Sequence, residues 1–247
     1  MGRGPSMKTT SRPRKLAALL LAMFGGQLAM ASAANAADRG LLGLGLFAPP
    51  PAPAAPVAGP AATAAAPSLL EVEKQLESLG FDVGPVDGVE TEQTNSAVMA
   101  FQKVKDLART GVLDAVLPGQ IMAASGFPAP LKPDGEPNRI EVSLARQVLF
   151  LFKDGRLTKI LPVATGTSMT PTPTGTFRIY RQDPGWHTSR LGRLHNAQYF
   201  IGGYAIHGST SVPAEPASHG CIRIPMSASE WFPSQVSKGM QVVVSAG

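Results

Sequence analysis

The chain has 247 residues, 44% of them hydrophobic and only 16% charged, with 23 prolines and 26 glycines. That length allows one large domain or two smaller ones, and the Ala/Pro content assigns part of it to linker rather than core. The net charge of +5 arises in the first 36 residues, where Arg3, Lys8, Arg12, Arg14 and Lys15 face no acid; without these five, 17 basic residues balance 17 acidic ones, which removes the case for nucleic acid as a partner or for a basic membrane-binding face.

Residues 1–36 read as an export signal. A basic stretch ends at Lys15, the apolar run LAALLLAMFGGQLAM follows, and ASAANA offers a small-residue cleavage site after Ala36. An uncleaved N-terminal anchor is the alternative, and Met7 is an alternative start. In either case the remainder is expected outside the cytoplasm, in the periplasm or at the wall. Residues 37–67 form a Pro/Ala-rich linker, densest in APPPAPAAPVAGPAATAAAP, which cannot bury a core and should be extended and semi-rigid.

A small helical module is predicted over 68–127. SLLEVEKQLESLG reads as a helix with Ser68 and Glu71 as a capping box, Leu69, Val72, Leu76 and Leu79 on one face, and Gly80 as the stop. GPVDG at 84–88 is a turn. TNSAVMAFQKVKDL is a second helix with Ala97, Val98, Phe101 and Val104 at helical spacing, TGVLD another turn, and LPGQIMAAS a short third helix with Pro118 near its start. The pieces LxxLGF…GPVDG and AVMAFQ…TGVLD resemble the peptidoglycan-binding three-helix module of bacterial wall enzymes. The sequence runs DGVETEQT where that family usually has Phe-Gly after the Asp-Gly turn, so a helical spacer without wall affinity stays open beside a binding role.

PAPLKPDGEPN at 128–138 reads as a second linker, and beyond it the period changes to that of strands. RIEVS and QVLFLFKDGRLTKILPVATG are strands with Asp154-Gly155 as a hairpin turn; TGTFRIY, QYFIGGYAIHG, GCIRI and MQVVVS add more. SASEWFPSQVS is one helix, with Ser227 and Glu230 as a capping box and Pro233 shortening or kinking it. The fold class expected is therefore α+β: a three-helix N-terminal module plus a mostly β, sandwich- or barrel-like domain over 138–246.

All four histidines and the single cysteine fall between positions 187 and 221. In AIHGSTSVPAEPASHGCIRI, Pro213 and Pro216 rule out a continuous helix between His207 and Cys221, so a loop can return one beside the other. A free thiol near pKa ~8.5 is only a few per cent thiolate at neutral pH; an adjacent imidazole can take its proton and later protonate a leaving amine. Gly220 clears space for a substrate carbonyl and permits a backbone that aims N–H groups at an oxyanion. Arg223, two residues on, shares a strand face with Cys221 and suits a carboxylate, unless it pairs with an acid such as Glu215. Zinc on His195, His207, His219 and Cys221 is the weaker alternative, since the lone cysteine lacks a C-x-x-C partner. His187 and His195 are expected at the surface or in a cap, and His219 in a structural hydrogen-bonding role.

IHG…SHGCIR, with PTGTF at 173–177, GGYAIHG at 202–208 and RIEVSLARQVLFLFKDG, resembles the signature of the L,D-transpeptidase catalytic domain of YkuD type. The resemblance implies that Cys221 is the nucleophile, His207 the proton acceptor and donor, and Gly208 the residue whose carbonyl orients that histidine. It implies that Ser218, His219 and Gly220 lead into the nucleophile and that Gly202 and Gly203 line the substrate cleft; Arg223 occupies a position held by Arg in many members and by Asn in others. It implies peptidoglycan stem peptides as partners: Cys221 attacks the third, L-centred diamino acid, releases the terminal D-alanine, and passes the acyl group to an amine of another stem as a 3→3 cross-link. Water as acceptor would give a carboxypeptidase, and carbapenems should acylate the thiol. The resemblance implies a reaction that needs no metal or organic cofactor. Another thiol hydrolase of wall peptides and a non-catalytic wall binder are the alternatives.

Overall fold

The computed structural model describes residues 66–247; the export signal and all but the end of the Pro/Ala segment lie outside the described residues. Three helices come first: α1 (Leu69–Ser78), α2 (Glu92–Val104) and α3 (Leu117–Ala123). Ser68 and Glu71 close a reciprocal capping box on α1, and Gly80, at φ 86°, turns the chain out of the helix. Helix α2 begins two residues before the predicted start, because Thr91 and Thr94 cap it with their hydroxyls. The GPVDG turn is held by Glu73, a fully buried carboxylate that accepts from the backbone N–H groups of Asp87 and Gly88 and from the Thr94 hydroxyl.

Nine strands follow: β1 (Arg139–Ser143), β2 (Val148–Lys153), β3 (Arg156–Pro162), β4 (Gly175–Arg178), β5 (Arg181–Ser189), β6 (Gly192–Ile201), β7 (Tyr204–Ser209), β8 (Ile222–Pro225) and β9 (Gln241–Ser245), with helix α4 (Met226–Gln235) before the last. They form two mixed sheets, one ordered β3-β2-β1-β9-β4 and the other β5-β6-β7-β8. The α+β class and the mostly β second part are as expected. Strand β5 was not anticipated: its sequence RQDPGWHTS carries Pro and Gly, and the chain accommodates them in a bulge between Asp183 and Trp186. Helix α4 also differs from expectation, since it starts at Met226 after Pro225 with no side-chain cap; Ser227 and Glu230 do not form the predicted box.

One hydrophobic core fills the space between the sheets, with Ile140, Val142, Leu149, Leu151 and Val242 meeting Phe200, Ile206, Ile222, Ile224 and Phe232 of α4. The other core belongs to the helices and to the outer face of the first sheet. Val72, Leu76, Phe81, Val98, Phe101 and Ile121 pack on Val148, Phe150, Phe152 and Ile160. Strand β2 is therefore apolar on both faces, which is why VLFLFK reads as an unbroken run instead of an alternation. A short parallel bridge adds Phe81 to β3, with the Ile160 N–H donating to the Gly80 carbonyl at 2.8 Å. The 128–138 segment is tied down as well: the Glu141 carboxylate accepts from the Leu131 and Lys132 backbone N–H groups.

Candidate active site

Strands β7 and β8 run parallel, with Ile206 opposite Ile222, His207 opposite Arg223 and Ser209 opposite Pro225. Ile206, Ile222 and Ile224 point into the inter-sheet core. The alternation of a strand then sends His207, Cys221 and Arg223 to the other face, where they line one cleft of about 270 Å³ with Ser218 and His219. The tip of the β5–β6 hairpin, including Arg193, forms the opposite wall.

A parallel neighbour requires a crossover, which is usually helical. Here the crossover is the proline-containing loop that leads to the nucleophile motif, and the backbone is fixed from two sides. On one side stands the threonine-rich segment after β3. The Thr165 carbonyl accepts from the Ala217 and Ser218 N–H groups at 2.9 Å each, the Thr170 hydroxyl donates to the Ser218 carbonyl at 3.1 Å, and the Thr172 hydroxyl donates to the Gly220 carbonyl at 2.9 Å. Ala164 exchanges two backbone hydrogen bonds with Arg223. On the other side stands α2: the Lys103 ammonium donates to the Val163 carbonyl at 2.9 Å and to the Pro213 carbonyl at 3.4 Å, while Arg109 reaches the Ala214 carbonyl and the Glu215 carboxylate at 3.3–3.4 Å.

Within the motif, the Ser218 hydroxyl donates to the Cys221 carbonyl at 2.6 Å and accepts from the Gly220 N–H at 3.0 Å. Gly220 has φ +110°, and any β-carbon there would overlap the Tyr204 ring, so both conformation and space demand glycine. The Cys221 thiol points toward the Gly203 carbonyl, 4.0 Å away in the β6–β7 turn. Burial pushes this thiol above its ordinary value, while the Ala205 N–H and the Arg223 guanidinium pull the other way.

His207 is buried, and its Nδ1–H donates to the Gly208 carbonyl at 2.9 Å. A carbonyl can only accept, so this bond fixes the tautomer and leaves Nε2 as a lone pair. Burial holds His207 below its ordinary value; the Gly208 bond opposes this and the nearby Arg223 reinforces it. Both directions favour the uncharged thiol and imidazole over a preformed ion pair. Gly208 cannot carry a side chain, because a β-carbon would overlap Ser229 of α4.

Arg223 is half-buried and has no ion-pair partner among the described residues; Glu215 pairs with Arg109 instead. Gly203 adjoins the sulfur through its carbonyl, whereas Gly202 lies at φ 50° in the turn and accepts from the Tyr180 hydroxyl. Two histidines differ from expectation. His195 is not at the surface: it is 8% exposed, with Nδ1 2.9 Å from the Ser229 hydroxyl behind Gly208. Among the described residues the His219 side chain has no hydrogen-bond partner, and its exposed ring lines the cleft. His187 is exposed on β5, as expected. Among the described residues no group of three or more His, Cys, Asp or Glu side chains is arranged to hold a metal ion. The residues that sequence reasoning missed are the clamps: Thr165, Thr170, Thr172, Lys103 and Arg109. The density of threonines in TGTSMTPTPTG is the one signal that pointed to them.

Known proteins resemble both parts. The family model described as the L,D-transpeptidase catalytic domain, YkuD, matches residues 137–244, and the model of a provisional peptidoglycan binding domain matches residues 66–117. The protein provisionally named L,D-transpeptidase YkuD in Bacillus licheniformis is 34% identical over 116 residues, covering 43% of this chain and 66% of its own; its namesake in Bacillus subtilis strain 168 is 34% identical over 111 residues, covering 43% and 63%. The chain thus spans slightly less than two thirds of the length of these relatives. The crystal structure of the L,D-transpeptidase (residues 123–326) from Xylanimonas cellulosilytica is 33% identical, with a TM-score of 0.67, and covers 72% of this chain and 93% of that one. That coverage exceeds the catalytic match alone, so the likeness extends into the helical module. The chain belongs to the L,D-transpeptidase family, with a YkuD catalytic domain behind a peptidoglycan-binding module.

Proposed function

We propose that this protein is an exported peptidoglycan L,D-transpeptidase that forms 3→3 cross-links through a Cys221 acyl-enzyme. The observation that carries the reading is the shared face of β7 and β8, where a tautomer-fixed imidazole, a thiol and a guanidinium with no ion-pair partner among the described residues converge on one cleft. Arg223 holds a carboxylate of the donor stem and sets its third residue against the sulfur. The thiol attacks the carbonyl carbon as His207 Nε2 takes its proton, and backbone N–H groups beside Cys221, other than that of Gly220, which the Ser218 hydroxyl holds, receive the oxyanion. Collapse breaks the peptide bond; the imidazolium returns the proton to the departing amine of D-alanine, leaving a thioester. The side-chain amine of a second stem then attacks, His207 accepts its proton, and the thiol is restored as the new amide forms. Water in place of the amine gives the carboxypeptidase outcome. Burial that disfavours both charged forms fits proton transfer coupled to attack. The export signal, 1–36, puts this chemistry on the wall side of the membrane, and the helical module holds the enzyme against its polymer.

The experiment is intact-mass analysis of the purified protein with stem tetrapeptide. An adduct on Cys221 equal to the tetrapeptide minus D-alanine is expected, with no adduct on Cys221→Ala. Cross-linking at a near-normal rate by Cys221→Ala would overturn the mechanism. A carbapenem presents a strained carbonyl to the same sulfur, and its adduct should appear at Cys221 in the same measurement.

A further inference from the structure

Ser209, at the end of β7, lines the cleft over Cys221. That residue also lines a second, larger cleft of about 610 Å³, which has the first turns of α2 on one side and the ends of β7 and β8 on the other. We propose that this second cleft seats the acceptor, a peptide carrying a primary amine, while the donor occupies the cleft over Cys221; the inference rests on the transfer function proposed above.

The order of residues along the strands is the first argument. From Cys221 the pair β7/β8 runs past His207 and Arg223 to Ser209 and Pro225, and the second cleft begins there. A group arriving from it meets His207 before it meets the sulfur. An incoming amine needs that sequence, because it must lose a proton to Nε2 as it attacks the thioester. The side it enters by is the side on which Arg223 held the donor carboxylate, and departure of D-alanine vacates it. From Cys221 to Pro225 is four strand residues, roughly 13 Å at 3.3 Å per residue. An extended peptide of about four residues covers the same distance.

Chemical contrast is the second argument. The cleft over Cys221 contains Arg193 and Arg223 and no acid, which suits a ligand with carboxylates. The second cleft contains no base; its one charged residue is Glu92, among the hydroxyl and amide groups of Gln93, Ser96, Ser209 and Thr210. That lining suits peptide amides and an ammonium group. It is not an anion site, since the Thr91 and Thr94 hydroxyls already cap the α2 N-terminus.

Rigidity is the third. The loop wall, which includes Thr210 and Val212, is held a few residues further on by Lys103 at Pro213 and by Arg109 at Ala214. Those bonds fix the gap between α2 and the catalytic strands, so the cleft is largely formed before any ligand enters.

The test fills the cleft from opposite walls with Ser96→Trp and, separately, Thr210→Trp in the full chain. It follows acyl-enzyme by intact mass and the ratio of cross-linked to hydrolysed product from tetrapeptide. In both variants acyl-enzyme should form as in the unaltered protein, while the ratio falls about tenfold or more as water replaces the excluded amine. Glu92→Gln should raise the KM for an amine acceptor and leave that for the donor in place. Normal acyl-enzyme with an unchanged ratio in both Trp variants overturns the inference alone. Loss of acylation together with transfer also overturns it, because the wall then serves the donor. Absence of acyl-enzyme from the unaltered protein overturns the proposed function, and the inference with it.

Discussion

The joint between α2 and the sandwich and the cleft over Cys221 each hold a basic side chain with no acid within ion-pair distance among the described residues, and they do opposite things with it. Lys103 is fully buried, and two backbone carbonyls use its donors. Burial, reinforced by Arg109 and opposed by Glu215, lowers its pKa from 10.5 to about 7. Arg223 is half-exposed, and among the described residues no acceptor meets its guanidinium. A cation held by the protein's own backbone carbonyls is scaffold. A cation whose donors are left open beside a thiol and an imidazole is available to a ligand.

Breaking this contrast begins with the cleft. His207→Ala should lower turnover of the tetrapeptide by a factor on the order of 10²–10⁴ with the melting temperature nearly unchanged; a larger loss from His219→Ala would mean that the exposed ring, not the buried one, moves the proton. At the joint, Lys103→Ala leaves a cavity and strips the Val163 and Pro213 carbonyls of their donor. The expected cost is about 2–4 kcal/mol by denaturant unfolding. A loss under ~0.5 kcal/mol would show that the joint is not the scaffold described above.

Arg223→Lys keeps the charge and loses the planar fork. Turnover should fall roughly tenfold, while Cys221 still reacts with a small neutral thiol reagent and stability hardly moves. If stability and both reactions decline together, Arg223 is structural and the contrast with Lys103 disappears. The joint also carries a dependence on pH. Between about 7 and 10.5 the unfolded chain binds a proton at Lys103 that the folded chain does not, so stability rises with pH across that interval; below it both states are protonated and the penalty is constant. Lys103→Met should flatten the rise, as measured by unfolding at pH 7 to 9.5. A rise equal to that of the unaltered protein would place the titration elsewhere.

Local features were legible. The capping box of α1, the Gly80 stop and the Asp154-Gly155 turn are written in adjacent residues, and they form as read. So was the shared face of Cys221 and Arg223, because it follows from strand alternation alone. The long-range bonds were not. Lys103 lies on what looks like the polar side of an isolated amphipathic helix, and nothing in its neighbours signals that a sheet will cover it. His195 was misplaced for the same reason: the sequence around it says nothing of Ser229, 34 residues away, which its ring meets behind Gly208. Strand β5 was hidden by Pro184 and Gly185, which a bulge absorbs only because β6 supplies a partner.

The two-faced strand β2 has a consequence for how such a protein can be inherited or engineered. Its inner side chains, Leu149 and Leu151, serve the core between the sheets, while Val148, Phe150 and Phe152 serve the helices. Cutting the chain after α3 would leave those three side chains, with Ile160, as a bare apolar strip that invites self-association. The helical segment is therefore a poor candidate for exchange as a detachable adaptor. Recombination that swapped it would have to supply a replacement shaped to the same strip, so the two halves should travel together as one unit of descent.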